Sequence, residues 1–275
     1  MIKGIDVSRH QGKIDWGKVK AAGVDFAILR VGWTHYDGGL TADDRFHENA
    51  EGATAAGLPI GVYAYGYDLT AEAARIGAER VLEAIRPYRL EYPVWYDQEY
   101  EEKIAALTRQ QRTDVCQAFM DTIQAGGYYT GLYASRDWLE RMVYDQQLIH
   151  YDKWVAAYRF DLDPPGEERS GYLGTHGMWQ YTVIGRQGTK GVHYWTEGEI
   201  PGIAANCDLN VSYRDYPAVI RGAGLNHLEL TASEGKLPST ESNPGGEAEI
   251  WKEKAARYDR LVTDIKALLA TYEGM

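Results

Sequence analysis

Only two cysteines, Cys116 and Cys207, occur in 275 residues. No dense disulfide framework can be built from them, which leaves two buried reduced thiols or one bridge. No apolar run reaches the roughly 18 residues of a membrane-spanning helix, so no membrane partner is expected. The first residues, Met1-Ile-Lys-Gly-Ile-Asp6, lack the apolar stretch of a signal peptide. Positive charge is also short: 29 Lys and Arg stand against 40 Asp and Glu, a net charge of −11. Phosphate backbones need clustered cations, so nucleic acid is not the expected partner. The seven histidines are scattered without metal-ligand spacing. Neither a phosphate-cradling glycine loop nor a Gly-x-Ser-x-Gly nucleophile turn is present. No cofactor and no metal are expected.

What remains is a chain with 44% hydrophobic residues, enough for a large core, and an uneven set of aromatics. There are 21 Tyr and 8 Trp against 4 Phe. Tyr and Trp combine a flat apolar face with a polar handle. Such side chains suit sugar rings, which are apolar on their faces and hydroxylated at their edges. Ordinary core filling accounts for many of them.

Short apolar runs alternate with helical patterns. Strands are expected at Lys3–Val7, Asp25–Val31, Pro59–Tyr67, within Tyr92–Tyr100, at Tyr128–Ala134, Lys153–Tyr158, His176–Thr182 and within Ala204–Val211. Helices are expected at Asp15–Ala22, Ala42–Ala56, Thr70–Ile85, Thr108–Ala125 and, briefly, Trp138–Val143. This alternation implies parallel β-α units, and eight strands is the count at which such a sheet closes. Residues 159–176 and 183–203 show no convincing helix. The expected fold class is therefore α/β: an irregular eight-stranded, TIM-like β/α barrel with fewer than eight helices over residues 1–222. A linker follows at 223–246, and residues 247–275 form a C-terminal helical tail. Trp251, Tyr258, Leu261, Ile265, Leu268 and Tyr272 make a heptad stripe on it. Helix 247–272 then either pairs with a second copy in a homo-oligomer or docks on its own barrel.

The chemistry concentrates at Tyr92-Pro-Val-Trp-Tyr-Asp-Gln-Glu-Tyr100. Residues two apart share a strand face, so Asp97 and Glu99 point the same way. Close carboxylates repel, and at least one pKa rises. A protonated acid beside an ionised one is the equipment for cleaving a glycosidic bond. An isolated Asp-x-Glu is more often a pair of solvated acids. Here, barrel closure brings further acids to the same mouth: Asp6 at the end of strand one and Asp208 near the end of strand eight. Four acids could also hold a hard cation, but metal-typical spacing is missing. Aromatics cluster at the same strand ends: Tyr63, Tyr65 and Tyr67, Trp95 and Tyr96, Tyr133, Trp154 and Tyr158, Trp179 and Tyr181. About half should face the barrel and half the helices. Arg30 lies on a strand that reads as buried, and pairing with one of the acids is its expected role ahead of substrate contact. His10 reads as a loop residue bonding locally, and His176 as core or rim.

These residues resemble a known family. Met1-Ile-Lys-Gly-Ile-Asp-Val-Ser-Arg-His-Gln-Gly-Lys-Ile-Asp-Trp16 is similar to the opening of the glycoside hydrolase family 25 lysozymes, the Chalaropsis-type muramidases. Ordered matches follow at Asp25–Gly32, Ala56–Tyr65, Pro93–Glu99, Gly131–Ser135, Trp154–Tyr158, Trp179-Gln-Tyr181 and Cys207-Asp-Leu-Asn210, covering about residues 1–220. The resemblance implies hydrolysis of the β-1,4 bond between N-acetylmuramic acid and N-acetylglucosamine in bacterial peptidoglycan, with retention. It implies Glu99 as general acid and Asp97 as its partner, either nucleophile or orienter of a substrate N-acetyl group. Asp6 and Asp208 match the other two acids. Tyr63, Tyr65, Tyr133, Trp154, Tyr158, Gln180 and Arg30 are the expected substrate contacts. Trp95-Tyr96 departs from the smaller aliphatic residues many relatives carry before the Asp. The expected place of action is the cell wall, reached either as a phage endolysin through a separate pore or as a mature secreted form. A catalytically silent wall-binding module of the same fold is the alternative. A metal-dependent deacetylase would want a histidine-rich triad that is not found.

Overall fold

The computed structural model describes residues 2–158, 170–183 and 200–228. The expected helix 247–272, the linker beyond 228 and most of segments 159–176 and 183–203 lie outside the described residues. In chain order the strands are β1 (Ile2–Val7), β2 (Phe26–Thr34), β3 (Leu40–Ala42), β4 (Ile60–Tyr65), β5 (Val94–Gln98), β6 (Thr130–Ser135), β7 (Asp152–Ala156), β8 (Met178–Val183) and β9 (Asp208–Ser212). The helices are α1 (Trp16–Ala21), α2 (Phe46–Ala55), α3 (Ala71–Ile85), α4 (Glu102–Ala105), α5 (Arg109–Ala125), α6 (Arg136–Arg141) and α7 (Tyr216–Gly222). Among the described residues, none of them is long and apolar enough to cross a membrane.

The wall runs β1-β9-β8-β7-β6-β5-β4-β2, and β1 pairs with β2 to close it. This is the expected irregular eight-stranded α/β barrel, with seven α-helices among the described residues. β3 lies outside the ring, paired antiparallel to β2. Its residues were expected to lead into a helix from Ala42. Instead the chain turns at Gly38, where φ is 90°, a backbone conformation open to glycine, and α2 begins only at Phe46.

One expectation fails outright. Strand–helix alternation implies parallel β-α units, with Asp208 near the end of strand eight, yet β9 runs antiparallel to both β1 and β8. Asp208 therefore begins its strand instead of ending it. Because the strand is reversed, its start lies at the mouth where the other strands end. Asp208 consequently sits in register opposite Asp6.

Period-two alternation divides the wall into two cores. Phe26, Ile28, Trp95, Tyr133, Trp154 and Met178 fill the barrel. Val62, Val94, Tyr96, Leu132 and Val155 face outward and pack with helix residues such as Val81 and Phe119. The bulky pair before Asp97 is split between the two. Trp95 points in, 5.8 Å from the Trp154 ring. Tyr96 points out, stacks on Phe119 at 4.1 Å and donates its hydroxyl to buried Asp68 at 2.7 Å. Asp68 also accepts from Thr34 at 2.6 Å, and burial pushes its carboxyl up to about 6.

The lower end of the barrel is closed by polar groups that satisfy one another. Asp152 accepts from Tyr129 (3.0 Å) and Tyr216 (2.9 Å) and pairs with Arg214 at 3.1 Å. Residues 223–228, counted with the linker on sequence grounds, continue into this plug. Asn226 donates to the carbonyls of Leu90 and Tyr92 and accepts from the Tyr129 amide. Cys116 and Cys207 are both buried free thiols.

Packing is tight where β6 crosses beneath Trp95. A Cβ on Gly131 would lie 2.4 Å from a Trp95 ring carbon and 2.5 Å from the Asp152 carbonyl oxygen. The second contact is backbone and cannot swing aside. Gly131→Ala is expected to destabilise the barrel by about 1–3 kcal/mol. Urea unfolding measures this as a lower midpoint at unchanged slope. A variant as stable as wild type would mean that β6 and β7 separate freely here.

Candidate active site

The inward face of β5 carries Trp95 and Asp97, and Glu99 follows just beyond the strand. Asp6 lies near the end of β1 and Asp208 opens β9. All eleven residues selected from sequence line one cavity of about 330 Å³ at the barrel mouth. They are the acids Asp6, Asp97, Glu99 and Asp208, with Arg30, Tyr63, Tyr65, Tyr133, Trp154, Tyr158 and Gln180. Ser8, His10 and Gln11, from the loop after β1, complete one side. His10 donates its backbone amide to Ser8, so it is a locally bonded loop residue that also borders the cleft. His176 is held by Ser170 and the Gly174 carbonyl and does not line the cavity. Trp179 and Tyr181 belong to the outer core with Tyr96, so the strand-end aromatics do divide between mouth and helices.

The acids occupy graded environments. Asp97 is 3% exposed, and one of its carboxylate oxygens has no hydrogen-bond partner. Burial pushes its pKa well above the ordinary carboxylate range, with the charges of Glu99 and Asp6 adding and Arg30 opposing. Asp208 is raised mainly by burial, then by Asp6 and Glu99. Burial raises Asp6 as well, against hydrogen bonds from Asn210 and Gln180 that favour its charged form. Glu99 stands open to solvent at the rim. The walls around it still withdraw enough water to raise its pKa, with Asp6 and Glu101 adding. Burial thus shifts all four carboxyls toward the protonated form, each against different neighbours.

A hydrogen-bonded frame fixes the floor. The Trp154 indole donates to Asn210 at 2.8 Å, and Asn210 donates to Asp6 at 2.8 Å. Gln180 donates to the same Asp6 oxygen at 2.9 Å and accepts from Tyr133 and Tyr158 at 2.7 and 2.8 Å. Tyr133 packs 4.4 Å from the Trp154 ring, and Tyr63 stands edge-on to it at 6.2 Å. Asn210 was not singled out from sequence. Its signal was available: it lies two residues after Asp208, on the same face of β9.

Arg30 corrects another expectation. It pairs with Asp43 at 2.7 Å, outside the four acids. Asp43 is buried and also accepts from the backbone amides of Arg9 and Arg45. The fixed guanidinium faces the cleft as its cation and restrains the Asp97 pKa through space. No group of three or more His, Cys, Asp or Glu among the described residues is placed to hold a metal ion.

Known proteins share this arrangement of elements. The modular autolysin LytC of Streptococcus pneumoniae superposes with a TM-score of 0.60 at 28% identity, over 77% of this chain and 46% of that one. A second structure of that autolysin, in complex with a synthetic peptidoglycan ligand, matches at 0.59. The catalytic domain of endolysin ply40 from Listeria monocytogenes bacteriophage P40 superposes at 0.60 over 81% of this chain and 98% of that one, at 23% identity, a likeness of fold. Lysozyme M1 of Streptomyces globisporus is 42% identical over 62 residues, 22% of this chain and 20% of that protein. This chain thus spans less than half of the pneumococcal autolysin, and its aligned segment is a fifth of the Streptomyces lysozyme. The family model for glycosyl hydrolases family 25 matches residues 5–189, from the first barrel strand past β8, the seventh wall strand in chain order. That match covers well over half of the sequence and includes three of the four cleft acids, and on it the chain belongs to glycosyl hydrolase family 25.

Proposed function

We propose that the chain is a lysozyme of the muramidase type, which hydrolyses the β-1,4 bond between N-acetylmuramic acid and N-acetylglucosamine in peptidoglycan. The observation that carries this reading is the cleft itself: four carboxyls of unequal burial, walled by tyrosine and tryptophan, in a glycosyl hydrolase fold. The peptidoglycan ligand bound by the pneumococcal autolysin supports the substrate class.

In this reading Glu99 is the general acid. Its pKa is raised, the direction a general acid needs, and its rim position gives access to the bridging oxygen. The proton passes to that oxygen as the glycosidic bond breaks. On the opposite face the anomeric carbon is met either by Asp97, which must first give up its proton to act as a nucleophile, or by the substrate's own N-acetyl oxygen, oriented by Asp97. Water then adds at the anomeric carbon, and Glu99 takes back a proton. Asp6 and Asp208 set the charge of the pocket, and Arg30 offsets the accumulation of negative charge. Tyr63, Tyr65, Tyr133, Trp154, Tyr158 and Gln180 seat the sugars. The place of action is the bacterial wall.

A suspension of purified Gram-positive walls tests the reading directly. The protein is expected to clear it while co-sedimenting with what remains. Binding to walls that stay turbid would replace the hydrolase with a silent binding module.

A further inference from the structure

β4 places tyrosines at alternate positions: Tyr63, Tyr65 and, just past its end, Tyr67. The first two line the acid cavity. Tyr67 instead lines a second, open depression of about 720 Å³ with Trp33, Tyr36, Asp37 and Glu101. The two depressions have no lining residue in common, but side chains of one touch side chains of the other. The Tyr65 ring lies 5.0 Å from Tyr67, and its hydroxyl donates to Glu101 at 3.3 Å. Arg30, which faces the cavity, lies 5.6 Å from the centre of the Trp33 ring. Tyr36, on the turn leading to β3, meets Tyr67 edge-on at 6.1 Å. With the Lys103 ammonium 4.0 Å from its ring centre, Tyr36 is still 44% exposed.

We propose that this depression is a distal sugar platform, seating a further N-acetylhexosamine unit of the same glycan strand whose scissile bond lies in the acid cavity. The proposal rests on the hydrolase reading and extends it. Tyr36 and Tyr67 offer aromatic surface to the apolar face of a sugar ring. Asp37 and Glu101, at the rim, accept from its hydroxyls and amide. Adjacency to the cavity through Tyr65, which touches Tyr67 and Glu101, is what selects a glycan as occupant, because a polymer bound across the acids leaves the cavity over a neighbouring surface. Sugar units beyond the reacting pair add binding energy that can be used at the reacting centre.

The test compares wild type with the Tyr36→Ala/Tyr67→Ala double variant on soluble peptidoglycan oligosaccharides of increasing defined length. The two are expected to match on the shortest oligosaccharide cleaved. On the longest, the variant should fall behind by roughly tenfold in kcat/KM. Tyr36→Phe/Tyr67→Phe keeps the rings and should retain most of the length dependence. Calorimetric binding to Glu99→Gln protein, with and without the two tyrosines, reads the same difference without turnover. Length dependence that survives the double variant in both measurements overturns the platform. A uniform loss at every length, with a lowered melting temperature, overturns it too, by reducing the tyrosines to packing. Failure of wild type to cleave or bind glycan of any length would instead remove the hydrolase reading beneath it.

Discussion

Glu99→Gln is expected to lower kcat on soluble peptidoglycan fragments by about 10²–10⁴-fold, with the substrate still bound. The substitution preserves size and shape and removes the transferable proton. Glu99 is exposed, so the fold does not depend on it. The change also withdraws one of the charges that raise Asp97, whose pKa should fall back toward the ordinary range. Initial rates and a melting curve on the same preparation separate chemistry from folding. A loss of less than tenfold with an unchanged melting curve would remove Glu99 from the acid role and pass it to another carboxyl of the cleft.

Asp97→Asn should abolish most activity and at the same time raise stability. Asp97 is buried, lacks a partner on one oxygen and faces Glu99 and Asp6. Its folded pKa lies above the unfolded value of about 3.9. Between those two values the folded state holds a proton that the unfolded state has lost, so stability falls as pH rises through the window. Below it both states are protonated and the penalty disappears. The neutral amide should therefore stabilise by about 1–2 kcal/mol at pH 7, or roughly 2–4 °C in melting temperature per kcal/mol. Near pH 4 the gain should vanish. Melting temperatures across that range test the account, and a destabilised variant at neutral pH would contradict it. Asp208 is raised for the same reasons and should behave in the same direction.

The parts of this site legible in the sequence are those written in local periodicity. Asp97 and Glu99 could be assigned to one face because strand side chains alternate, and the same rule split Trp95 from Tyr96. The strand count gave closure, and closure gave the neighbourhood of Asp6 and Asp208. What was not legible depends on partners distant in sequence. Nothing within Asp208–Ser212 states that the strand runs backwards, because direction is set by β1 and β8 on either side. Asp208 reached the right mouth on sequence grounds through the wrong end of its strand. Asp43 lies 13 residues from Arg30, where no helical or strand period links them, and only the β2–β3 hairpin brings them together. The turn itself was visible as Asp37-Gly-Gly39, but a three-residue strand carries too little pattern to compete with the helix that follows. Gln180 was picked out as a substrate contact, and the structure adds that it also ties Tyr133 and Tyr158 to Asp6.

The central claim concerns which bond is cleaved, and the identity of the new reducing end decides it. Purified walls digested with the protein, reduced with borohydride and analysed by mass spectrometry should yield fragments ending in reduced N-acetylmuramic acid, absent from a parallel digest with Glu99→Gln. Fragments ending in reduced N-acetylglucosamine, or identical fragments from both proteins, would contradict the account.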